Sequence, residues 1–143
     1  TRQNLPYYEE SSKEALKGGY ILLGDANVTP EIILMASGSE VEFVYEAGKQ
    51  LIAEGVAARV VSMPSLEVFD AQSESYKASV LPSVCRKRVA VEAARDISWY
   101  KYVGLDGKVL AINTFGESAP AELVYEKFGL NTSNVLNIAK SLL

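Results

Sequence analysis

Three short runs of apolar, mostly β-branched residues narrow the folds open to this chain more than any other feature: ARVVSM at 58–63, VAVEA at 89–93 and VLAIN at 109–113. Runs of this length and composition read as strands buried on both faces. Pro64 stops the first of them. Helical patterns fall between or after them, around Ser73 to Leu81, more briefly around Ile97 to Val103, from Ala119 to Phe128 and from Ser133 to Leu143. Strands alternating with helices imply right-handed crossovers, a mostly parallel sheet and helices on both of its faces.

Two further β-rich runs precede these, Tyr20 to Leu23 and Glu31 to Ala36, joined by DANVTP. That link is too brief for a parallel crossover, so the first strand is expected to run antiparallel to the second. The stretch SGSEVEFVYEAGKQLIAEG then predicts a helix. Ser39 and Glu42 make a capping box, Val41, Val44, Leu51 and Ile52 form one apolar face, and Gly55 ends it. Lys17-Gly18-Gly19, just before the first strand, sets a domain boundary near Gly18. Residues 1–18, with the polar EESSKEALK, read as a linker leaving a preceding domain, with at most a short helix, and residues 19–143 as the domain itself.

Composition limits the function. A length of 143 residues suits one domain, and 48% hydrophobic with 22% charged residues is globular usage rather than that of a disordered chain. Fourteen Lys and Arg against eighteen Asp and Glu leave a net charge of −4, so no excess positive field attracts phosphates and nucleic acid is not an expected partner. One cysteine, Cys85, excludes an internal disulfide, and no run of apolar residues suits a membrane span; the expected compartment is a reducing cytoplasm. The chain has no histidine at all. That removes the usual base near neutral pH and the commonest metal ligand. No paired carboxylates or metal-ligand spacing replace it, so no catalytic residue and no metal ligand is assigned, and catalysis by this chain alone is not expected.

Several clusters have two readings. Ser37, Gly38 and Ser39 follow a buried strand and open a helix, the geometry of an anion site at the carboxyl edge of an α/β sheet; the other reading is a helix cap. Arg86-Lys87-Arg88 reads as a solvated rim or as a contact for an acidic partner. Trp99, Tyr100 and Tyr102 crowd one segment and suit either an interface or burial within the domain. Cys85 beside Arg86 reads as an inert thiol, with an activated one as its rival. One functional class these leave open is a regulatory module that takes a small anion near Ser37, Ser39 and the end of the Glu92 strand.

The stretches TRQNLP, GGYIL, ASGSEVEF, VVSMPSLEVFDAQ, YKASVLP, RVAVEAA and WYKYVGLDGKVLAINTFGESAPAELVYEKFG resemble, in order and spacing, the C-terminal region of transketolases. The resemblance covers nearly the whole chain. It implies a three-layer α/β/α domain with a mixed five-stranded sheet, mostly parallel, whose first strand is antiparallel. It also implies a parent enzyme that moves a two-carbon ketol unit from a ketose phosphate to an aldose phosphate. Thiamine diphosphate and its Mg2+ or Ca2+ would be held by the preceding domains and none by this chain, whose GDAN at Gly24 to Asn27 only superficially echoes the family's GDG motif. The implied partners are the preceding domains and the second subunit of a homodimer, with packing and dimer contacts as this domain's part. Arg2 matches the arginine of the family's [ST]RQNLP stretch, which binds the substrate's phosphate, and a guanidinium offers planar paired donors for that task. Dihydroxyacetone synthase, which shares much of the pattern, is the runner-up parent.

Overall fold

At the centre of the molecule, β2 (Ile32–Ala36) has all five residues buried, and β3 (Ala58–Ser62) is buried along its whole length. They lie in one sheet with β1 (Tyr20–Leu23), β4 (Arg88–Glu92) and β5 (Lys108–Ala111), in the order β1-β3-β2-β4-β5. The computed structural model describes residues 14–92, 99–111 and 131–143. The helix expected from Ala119 to Phe128 lies outside these residues, as does Arg2. Pairings β2–β3, β2–β4 and β4–β5 are parallel, and β1–β3 is antiparallel. The first strand thus opposes the second in direction, as its short link predicts, but β3 lies between them. Two strand spacings are only about 10 Å, and the link 24–31 is long enough to pass over β3.

Strand side chains alternate between two cores. Ile32, Leu34, Ala36, Val60, Val89 and Val91 face α1 (Val41–Ala53) and α5 (Thr132–Leu142). Ile33, Met35, Val61 and Ala90 point the other way, toward α2 (Leu66–Asp70), α3 (Glu74–Val80) and α4 (Tyr100–Val103). Both faces are therefore covered, and each buried Val, Leu or Ile contributes about 1.5–3 kcal/mol before entropy is charged against it. Helix α2 is not anticipated by the sequence reading: only five residues long, LEVFD is too brief for a period to register, yet Phe69 anchors it in the second core.

The start of α1 differs from the expected capping box. A single 3-10 turn, Gly38–Glu40, precedes the helix, so Ser39 lies inside a turn and Glu40 stands at the cap position without a side-chain cap bond. Ser39 Oγ instead donates to Glu40 Oε2 at 2.8 Å. Ile52 also departs from the predicted face: Val41, Val44 and Leu51 are buried, whereas Ile52 is 41% exposed. Ile52, in the last turn of α1, lines an apolar hollow with Val28, Pro30 and Val56.

True side-chain caps occur elsewhere. Ser65 Oγ accepts from Val68 N at 3.2 Å and Ser73 Oγ from Tyr76 N at 3.1 Å. Ser65→Ala and Ser73→Ala should each lower stability by about 1 kcal/mol, and Ser39→Ala by less than about 0.5 kcal/mol. Urea unfolding of the three variants checks this, and an equal loss in all three would restore Ser39 as a cap. Before β1, Glu14–Lys17 form a 3-10 turn whose Ala15 packs on the first core, and Lys17 Nζ sits 4.4 Å from the centre of the Tyr76 ring. The Tyr76 phenol, pushed up to about 12 mainly by burial, donates to the Gly19 carbonyl at 2.7 Å.

Candidate functional site

β2 and β4 end at the same edge of the sheet, and the helices next described after them lie on opposite faces. After Ala36 the chain passes through Ser37 and the Gly38–Glu40 turn into α1, which belongs to the first core. Downstream of Glu92 come Trp99 and α4, and Trp99, Tyr102 and Val103 belong to the second. Adjacent parallel strands whose connections diverge in this way form the switch point at which α/β sheets bind ligands.

Ser37 and Glu92 meet there. Ser37 Oγ donates to Glu92 Oε1 at 3.2 Å, and Trp99 Nε1 donates to the same oxygen at 2.9 Å. Trp99 is 1% exposed, so the carboxylate is held by a fixed ring on one side and by the β2 loop on the other. The structure does bring Ser37, Gly38 and Ser39 to the carboxyl edge, but both serine hydroxyls are given to carboxylates, Glu92 and Glu40. An incoming anion would approach two negative charges. The edge is therefore better suited to a group that donates hydrogen bonds than to an anion.

The remaining candidates separate clearly. Trp99 and Tyr102 are buried in the second core, which settles for them the choice between interface and interior. Cys85 is 4% exposed, burial raises its thiol pKa, and Sγ contacts the Lys87 carbonyl at 3.8 Å, an inert thiol as its surroundings predict. The basic triplet is not uniformly a solvated rim. Arg86 forms an exposed ion pair with Asp106 at 2.6 Å, but Arg88 turns inward. Its guanidinium donates to the carbonyls of Cys85 (2.9 Å), Tyr102 (2.7 Å), Leu81 (3.2 Å) and Pro82 (2.9 Å), tying the loop before β4 to α4. Arg88 shares the pleat face of Ala90, which looks toward the second core, so its guanidinium meets the Cys85 and Tyr102 carbonyls there.

Arg59 is the residue that sequence reasoning passed over. Within the apolar β3 it is 2% exposed, and it donates to the carbonyls of Ser79 and Val80 at 3.1 Å and of Val28 at 3.0 Å. Longer contacts of 3.4 Å reach Asp25 O and Ala26 O. Burial lowers its pKa. A lone arginine inside a run read as buried on both faces was the signal, because a buried cation needs a full set of acceptors.

Those same contacts decide the GDAN loop. Asp25 Oδ1 accepts from Asn27 N at 2.9 Å, and the loop carbonyls are turned toward Arg59. A diphosphate needs inward-facing N–H donors, and this loop instead aims the carbonyls of Asp25, Ala26 and Val28 at Arg59, so its backbone does not fit that group. Among the described residues no three His, Cys, Asp or Glu side chains gather as a metal site.

Fold and edge together define a three-layer α/β/α domain with one antiparallel border strand and a switch point at β2/β4. The match to known proteins makes the class specific. A family model described as the transketolase-like TK C-terminal domain matches residues 18–131, and the chain belongs to that family. Transketolase 2 of Aliivibrio fischeri is 53% identical over 146 aligned residues, which take in all of this chain and 22% of that protein. Among solved structures, transketolase from Leishmania mexicana superposes with a TM-score of 0.77 at 35% identity, covering 91% of this chain and 19% of that one. A Pichia stipitis transketolase in complex with sedoheptulose 7-phosphate gives a TM-score of 0.75, also at 35% identity, with 91% and 18% covered. The chain thus spans about a fifth of the length of the curated relatives it matches. None of these comparisons favours dihydroxyacetone synthase as the parent.

Proposed function

We propose that this chain serves as the C-terminal domain of a transketolase, an enzyme that transfers a two-carbon ketol unit between sugar phosphates in the pentose phosphate pathway. The observation that carries this reading is the 53% identity to Transketolase 2 of A. fischeri across the whole of the chain. Thiamine diphosphate and a divalent cation, Mg2+ or Ca2+, belong in this reading to the preceding domains. A chain with no histidine and a GDAN loop turned onto Arg59 contributes packing and contacts across a homodimer instead. The working compartment is the cytoplasm. Residues 1–18 link to the preceding domain, and Arg2 holds the phosphate of the sugar.

Activity tests the reading. The 143-residue chain alone should give no ketol transfer, while the enzyme that carries it behind its cofactor-binding domains should be active; turnover by the chain alone overturns the proposal. Arg2→Ala in that enzyme removes a charge-assisted pair to the phosphate, a bond worth about 1.5–3 kcal/mol or about ten- to a hundredfold in affinity. Phosphate lies at the far end of the sugar from the carbonyl under attack, so KM should rise and kcat should change less. A small unphosphorylated ketol donor should be nearly unaffected. Equal losses for both donors would leave TRQNLP as a strap between domains.

A further inference from the structure

We propose that the hollow between the link 24–31 and the end of α1 is a binding site for a small apolar carboxylate, a ring or branched chain carrying one acid group, with Arg59 as its counter-ion. The hollow holds about 170 Å³ and is walled by Val28, Pro30, Ile52, Val56 and Ala57. An apolar cavity of about 150 Å³ is enough to take one benzene ring. Val28 and Ile52 both stay exposed to water, so a ligand seated between them covers apolar surface that the fold leaves open.

Arg59 also lines this hollow, and its buried Nε–H has no acceptor among the described residues. In a planar guanidinium that N–H shares an edge with Nη2. Nη2 donates to the Val28 carbonyl at 3.0 Å and reaches those of Asp25 and Ala26 at 3.4 Å, so the half-filled edge faces the loop that walls the hollow. Nε and Nη2 side by side form the fork that a carboxylate fits with its two oxygens. Every acceptor Arg59 has among the described residues is a neutral carbonyl, so this buried cation has no anion paired with it, the partner such a charge calls for. Asp25 stands at the rim, exposed, with Oδ1 accepting from Asn27 N; it weakens the attraction without filling the fork. Nε is closed to water, so the loop must yield slightly for the acid to reach it, and the loop amides should report that.

Benzoate is the probe. Titrated into the isotope-labelled 143-residue chain and followed by nuclear magnetic resonance, it should give saturable amide shifts at Val28, Ile52, Val56 and Ala57, together with a shift of the Arg59 Nε–H signal. Benzyl alcohol, the same ring without the acid, should bind at least tenfold more weakly and leave that signal in place. Asp25→Asn removes the rim charge and should tighten benzoate severalfold. Ile52→Glu, at an exposed position, should abolish its binding while the far-ultraviolet circular dichroism is unchanged. Arg59→Met removes the fork and should abolish binding as well; if that variant does not fold, the Nε–H signal of the unaltered chain and the Asp25→Asn comparison decide the matter. A flat titration with benzoate, equal affinity for benzyl alcohol, or benzoate shifts that leave the Arg59 Nε–H signal unmoved each overturns the proposal.

Discussion

Replacing Arg59 by alanine is expected to lower stability by about 3–5 kcal/mol, which for a chain of this size lowers the melting temperature by about 10–17 °C. Three carbonyls, those of Val28, Ser79 and Val80, lose a charged donor at 3.0–3.1 Å, and the side chain leaves a void in a strand that is buried throughout. The arginine joins three parts of the chain that are not neighbours in sequence: the loop before β2, strand β3 and the end of α3. Its Nε is buried with no acceptor among the described residues, a cost the fold carries to make the other bonds. Arg59→Met separates the two contributions, since it keeps much of the stem and removes the guanidinium; its loss should fall below that of alanine. Denaturant unfolding measures all three proteins. An alanine variant within about 1 kcal/mol of the parent would mean that water replaces the guanidinium at those carbonyls.

Gly18→Ala should cost about 3 kcal/mol, from a left-handed backbone and a collision together. Gly18 has φ 84°, and an added Cβ would lie 2.3 Å from Phe69 N and 2.5 Å from Ser65 O, both backbone atoms that cannot swing aside. Its carbonyl also accepts from Ser65 N at 3.0 Å, so a shift of the turn would break that bond. Gly55→Ala is the matched control. With φ 91° and open space around its Cβ position, it should lose only the conformational part, about 1–2 kcal/mol. Equal losses at the two positions would show that the contact with α2 yields easily. The position read from sequence as a boundary is therefore also a packing contact, and both properties call for glycine: the turn needs its φ, and α2 needs its missing side chain.

The buried runs and the switches between strand and helix were legible in the sequence because they are local. A run such as ARVVS has no polar face to turn outward, so it is a strand inside a parallel sheet wherever it is placed, and β1 through β5 begin and end within a few residues of the expected positions. The shortness of DANVTP likewise set the direction of β1. Family membership was legible too, since long motifs persist in order along the chain. The start of α1 was not: Ser39 and Glu42 have capping-box spacing, but the chain must first turn through Gly38–Glu40 to bring Val41 and Val44 onto the sheet, and packing overrode the local preference.

What only the tertiary structure decided is which distant groups meet. Sequence spacing cannot place β3 between β1 and β2, because strand order depends on which apolar faces pack together. Nor can it bring Ser37, Glu92 and Trp99 onto one carboxylate oxygen, or fill the guanidinium of Arg59 with carbonyls from the Gly24–Glu31 link and α3. Charged residues written inside or beside buried strands announce that they need partners. The identity of those partners is set by the sheet, which fixes strand ends, and with them the polar groups they carry, within hydrogen-bonding distance of one another.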